Sequence, residues 1–100
     1  MERPQFILFI EPTRPEMPDA PTPDEASKVG EHFRYLQDQL ASGNLILAGR
    51  ALDTPSVGIA IFEAADEVAA AAFAANDPAI QAGVFRLVRI QRYHVALIRH

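Results

Sequence analysis

Four short apolar runs separated by two helical patterns restrict this chain more than any other feature. The runs are QFILFIE at 5–11, LILAG at 45–49, VGIAIFE at 57–63 and the stretch opening VFRLVRI at 84. Apolar runs of this length, closed by proline, glycine or charged residues, suit covered strands rather than helices. Between the first two, a helix is expected over 24–42. Val29, Phe33, Leu36 and Leu40 fall there at i, i+4, i+7 and i+11 and form one apolar stripe. Asp24 is the expected N-cap with Glu25 in the first turn, and Gly43-Asn44 stops the helix. A second helix is expected from ADEVAAAAFAA at 65–75, packing through Val68, Ala69, Ala72 and Phe73. Its alanines imply close approach to a sheet.

The last element, 84–98, changes phase. Val88 and Ile90 share one side, whereas Tyr93, Val95 and Leu97 share the opposite parity. A bulge or bend near Gln91-Arg92 reconciles the two. The order is β-α-β-β-α-β, an α+β ferredoxin-like arrangement: an antiparallel sheet with two helices on one face. At 100 residues and with no internal repeat, the chain reads as one domain, 1–100. The strands at 45–49 and 57–63 look apolar on both sides. The face away from the helices therefore needs cover, and sheet-to-sheet dimerisation is the economical solution.

Composition narrows the functions. A net charge of −4 argues against nucleic-acid binding, and the absence of cysteine removes disulfides, thiolate nucleophiles and iron–sulfur ligation. The apolar run Phe6–Ile10 is too short for a leader or a membrane helix, so the expectation is a cytoplasmic protein with no membrane partner. His32, His94 and His100 show no HxH or HxxxH spacing, and the glycines form no phosphate loop, so neither metal nor cofactor is expected. A proline-rich segment follows the first strand, with Pro12, Pro15, Pro18 and Pro21 spaced by three. That spacing matches polyproline II and contains PxxP. It reads as a stiff surface loop or a peptide ligand, and loops this long often cover functional sites.

His32 lies three residues after Val29 and four before Leu36, on or beside the stripe, so it faces the sheet. There it is either a half-buried histidine bonded to backbone or a general acid/base, since imidazole titrates near neutral pH. Asp77 precedes Pro78 and fits the N-cap of a short turn over Ala79–Ala82, with Gly83 free to adopt a left-handed conformation.

Three pieces in order resemble the YciI-like, or YCII-related, family: EHFRYLQDQLASGNLILAG at 31–49, GIAIFEAADEVAAAAFAANDPAIQAGVF at 58–85, and VRIQRYHVAL near the end. The shared marks are His32, Leu36, Gly43, Ala48-Gly49, and Asp77-Pro78 through Ala82-Gly83. The resemblance implies a ferredoxin-like fold assembled as a homodimeric α/β barrel. It also implies an active-site pair at His32 and Asp77; some members eliminate HCl from chlorinated aromatics. The chain departs from the family at Arg50, where proline is common, at Ala79, where an aromatic residue is common, and in the 12–23 loop. Arg50 is a candidate substrate-binding cation for an anionic group, or a solvated loop charge; the loop is a candidate cover for the pocket mouth. The expected function is a small-molecule enzyme, a lyase or isomerase moving a proton through His32 and Asp77. The alternative is a non-catalytic dimeric module that binds a metabolite or a partner protein. In that case the pair only ties helix to turn, with no enclosed polar pocket beside it.

Overall fold

Pro12, which has no N–H to donate, closes the first strand, β1 (Gln5–Pro12). In the computed structural model, which describes residues 3–100, β1 is followed by α1 (Pro23–Ala41), β2 (Leu45–Arg50), β3 (Gly58–Glu63), α2 (Glu67–Ala75), α3 (Pro78–Gln81) and β4 (Phe85–Tyr93). The sheet order is β2-β3-β1-β4 with every pair antiparallel. This is the expected ferredoxin-like α+β fold, with the short α3 added before the last strand. No helix among the described residues is long and apolar enough to cross a membrane.

Phe6, Leu8 and Ile10 of β1 and Ala60 and Phe62 of β3 face the helices and form the core with Ala70, Phe73 and Ala74 of α2. Alanines let α2 come close enough for Phe73 to stack on Phe62, with ring centroids 4.1 Å apart and planes 11° apart. The packing face of α2 is rotated from the expected one. Val68 is 79% exposed and Ala72 is also outside, while Ala70 and Ala74 are buried. Asp66 fixes the start of the helix by accepting the Ala69 N–H at 2.8 Å, and the Phe62–Phe73 stack sets its rotation.

The N-cap of α1 is Thr22 rather than Asp24. Its Oγ1 accepts the Glu25 N–H at 3.2 Å, and its own N–H donates to Glu25 Oε1 at 2.8 Å, with Pro23 in the first turn. At the other end, the Asn44 and Gly43 N–H groups donate to the Gln39 and Leu40 carbonyls, with Gly43 at φ 87°. That closure needs a left-handed residue, which glycine adopts without strain.

Two bulges set which residues face the helices. Phe9 pairs with Arg89 but Ile10 pairs with Leu87, so the extra residue in β4 is Val88, not the Gln91-Arg92 pair. The insertion lets Leu87 and Ile90, an odd number of residues apart, both pack on the core. The second bulge is at Ile46, between Leu45 opposite Phe62 and Leu47 opposite Ile61. The pairing of β1 with β4 ends at Gln5 and Tyr93, and beyond it the Val95 N–H reaches the Gln5 side chain at 2.8 Å. The face away from the helices carries Ile7, Phe9, Ile59, Ile61 and Leu47, with the Arg89 guanidinium 4.0 Å over the Phe9 ring.

The segment between β1 and α1 is not polyproline II, which has no internal hydrogen bonds. The Met17, Asp19 and Ala20 N–H groups donate to the carbonyls of Arg14 and Glu16, folding the segment into turns. Arg14 clasps it to α1 through a two-pronged contact with Glu25, at 3.1 and 2.7 Å, and a third bond to the Ala20 carbonyl at 2.6 Å. The Arg14 contact first, then the Thr22 N–H, lowers the Glu25 carboxyl from about 4.5 to about 2. A depressed carboxyl stabilises the fold above its unfolded value, and that contribution is lost as pH falls from about 4.5 toward 2. The Met17 methyl resonance should therefore shift through that window, and Glu25→Gln should hold it near the low-pH position at pH 7. A Met17 signal that ignores both changes contradicts the clasp.

Candidate active site

The turn between α2 and β4 is where the chain gathers its polar groups. The last carbonyls of a helix lack intrahelical partners, and in α2 side chains supply two of them. Tyr35 Oη–H donates to the Phe73 carbonyl at 2.7 Å, and Gln81 Nε2–H to the Ala75 carbonyl at 2.9 Å. Asp77 then caps α3. Its Oδ1 accepts the Ala79 N–H at 2.9 Å, Pro78 takes the first helical position, and Gly83 reverses the chain at φ 76°.

The second carboxylate oxygen points to α1. Asp77 Oδ2 lies 2.5 Å from His32 Nδ1. His32 stands one turn before Tyr35 on α1, so two adjacent side chains on one helical face hold α1 to the α2–α3 junction. The pair is enclosed, with side chains 15% and 6% exposed. Phe85 of β4 closes one side of the imidazole, edge-on, with centroids 4.9 Å apart. Burial, and then the negative charge of Asp77, push the Tyr35 phenol up to about 12, keeping it a neutral donor.

An ionised carboxylate only accepts hydrogen bonds, so Nδ1 carries a proton, and in the neutral imidazole Nε2 carries the lone pair. Nε2 makes no hydrogen bond within the described residues, yet no buried side-chain nitrogen or oxygen is left unpaired. It is therefore accessible to solvent, and His32 lines a cleft of about 840 Å³ between α1 and the sheet.

The cleft follows from small residues. Ala48, Gly58 and Ala60 form its floor, while Met17, Pro18 and Pro21 of the clasped segment supply part of its wall. A side chain at Gly58 would meet Ile10 Cγ1 at 3.0 Å, so the floor there stays bare. Arg50 lines the same cleft. The Ile46 bulge brings Arg50 opposite Gly58, on the helix side of the sheet. No carboxylate among the described residues pairs with it. His32, Asp77 and Arg50 thus share one cavity, the first two in contact. His94 and His100 do not line it, and among the described residues no cluster of three His, Asp or Glu side chains could hold a metal ion. Sequence reasoning missed Tyr35, Phe85 and Met17. Met17, the one large apolar residue within the proline-rich segment, was the available signal.

A family model of the YCII-related domain matches residues 6–94. The chain belongs to the YCII-related family. Among solved structures, this YCII-related chain is similar to 5-chloro-2-hydroxyhydroquinone dehydrochlorinase (TftG) from Burkholderia phenoliruptrix AC1100, in complex with 2,5-dihydroxybenzoquinone. The TM-score is 0.67 at 21% identity, covering 89% of this chain and 93% of that one. That level of identity shows a shared fold. No curated protein sequence matches the chain.

In this YCII-related fold, Asp77 does two jobs, which a double-mutant cycle separates. Asp77→Ala should cost about 2–4 kcal/mol, combining a lost cap with a lost hydrogen bond to a charged carboxylate. Asp77→Asn should cost about half as much because its side-chain oxygen still caps. The cycle with His32→Ala, read by urea denaturation, should return a coupling of at least about 1 kcal/mol; a coupling near zero contradicts the contact.

Proposed function

We propose that this protein is a small-molecule enzyme of the lyase or isomerase class, in which His32 moves a substrate proton. The observation that carries the reading is the division of labour at Asp77: one oxygen caps α3 and the other fixes His32, which lines the cleft. With both oxygens engaged, Asp77 orients rather than reacts. Nε2 takes a proton from a substrate carbon, and the electron pair of the broken C–H bond moves into a new double bond. In an elimination, the leaving group departs with its own bonding pair. In an isomerisation, the proton on Nε2 returns to a different carbon. The imidazolium formed meanwhile is stabilised by the Asp77 carboxylate, an attraction strengthened where water is scarce. Arg50 receives an anionic group of the substrate or the charge that develops on it. The elimination branch agrees with what the structural neighbour is named for, a dehydrochlorinase. The alternative, in which the pair only ties α1 to the turn, gives no purpose to an unpaired Nε2 on a residue that lines a cavity.

A positioned general base contributes roughly 10²–10⁴-fold. Screening small anionic compounds with acidic C–H bonds in D₂O, by NMR, should reveal exchange or turnover that His32→Ala reduces by about that factor. Arg50→Ala should raise KM with kcat little changed. Full activity in His32→Ala overturns the mechanism.

We also propose that a second copy covers the sheet face of Ile7, Phe9, Ile59, Ile61 and Leu47. Ile7 and Ile61 are buried within the chain, whereas Phe9, Ile59 and Leu47 leave apolar surface for a partner, and two such sheets face to face close the barrel. Sedimentation should give a dimer, and Ile59→Lys a monomer. A wild-type monomer at micromolar concentration contradicts this assembly.

A further inference from the structure

Phe33 and Leu40 are 60% and 55% exposed, and both line the cleft. Phe33 and Leu40 belong to the α1 stripe, which in an ordinary surface helix faces a core. Across from it runs β2, the edge strand of the sheet, which contributes Ile46 and Ala48 to the lining. The stripe stays uncovered for a local reason: opposite it the sheet offers Ala48, Gly49 and Gly58, which cannot fill the space. Gln37, between Phe33 and Leu40, is the polar member of this wall.

The charges of the cleft divide into engaged and free. Asp77 has both oxygens bonded. Arg50 meets no carboxylate among the described residues, so the free charge in the cleft is positive although the chain carries −4. At about 3.3 Å per residue, β2 extends about 16 Å from Arg50 back to Leu45. The apolar lining therefore continues well past the size of a single six-membered ring, and the cleft volume suits a drug-sized molecule.

We infer that the cleft takes an amphipathic carboxylate: one anionic head on the Arg50 guanidinium and a flexible aliphatic chain laid along Phe33 and Leu40. This names the substrate class of the proton-transfer site and rests on that reading for the reacting part of the molecule. The chain groove is read from the lining alone. Charge complementarity selects this occupant over a second copy, whose docking would need no cation beside the stripe.

The test titrates the protein calorimetrically with straight-chain alkanoates from butanoate to decanoate. Affinity should rise about 3–4-fold per added methylene. Arg50→Ala should weaken every member about tenfold and leave the chain-length slope unchanged. The double variant Phe33→Gln, Leu40→Gln should flatten the slope for the longer members; its melting temperature checks that it is folded, and exposed Arg50 gives an independent arm. His32→Ala should keep the whole series. A flat series in the wild type, an unchanged slope in the double variant, or a change of sedimenting mass in that variant overturns the groove. A flat series leaves the proton-transfer reading standing, whereas wild-type turnover in His32→Ala overturns that reading and leaves the groove standing.

Discussion

The carboxylate of Asp77 joins parts of the chain that nothing else connects in the same way. Oδ1 starts α3 and Oδ2 holds α1 through His32, while the backbone N–H of Asp77 still donates to the Ala74 carbonyl of α2. A buried carboxylate is costly unless it is fully bonded, and this one is. The arrangement stiffens the wall of the cleft at the point where Nε2 needs a fixed direction. Tyr35 repeats the logic one turn later, donating to an otherwise unpaired carbonyl at the end of α2.

The two long elements on the helical side of the sheet are built on opposite principles. Alanine brings α2 down until Phe73 stacks on Phe62, and the space beneath it is filled. The first helix is held at its ends instead, by the Thr22–Glu25 box and the Gly43 closure, and at His32 and Tyr35 in between. Beneath it the sheet carries Ala48, Gly58 and Ala60, so half of its apolar stripe has nothing to pack against. Packing that would have added stability is left out, and the result is a cavity bounded by a fixed histidine and a free arginine.

Much of this was legible in the sequence, where a residue type has one good use. Asp77 before Pro78 and ahead of Gly83 reads as a cap, and the structure makes it one. His32 beside the stripe reads as facing inward, and it does. The illegible parts are those where the pattern carries little direction. Nine residues of EVAAAAFAA give hardly any preferred face, so a single ring stack decided between Val68 and Ala70. The bulges at Val88 and Ile46 are choices of register, made by core packing rather than by any turn residue. The second one decides that Arg50 lies on the cavity side, which alternation alone does not tell. Thr22 displaced Asp24 as the cap because only Thr22 has glutamate three residues on.

The claim on which the account rests is the tautomer of His32. Nitrogen-15 NMR of the labelled protein near pH 8 reads it directly from the ring-nitrogen shifts. The account predicts a proton on Nδ1, shared with Asp77, and an unprotonated Nε2. A proton on Nε2 with Nδ1 bare would contradict it, because His32 would then have neither its orienting bond nor a lone pair on Nε2.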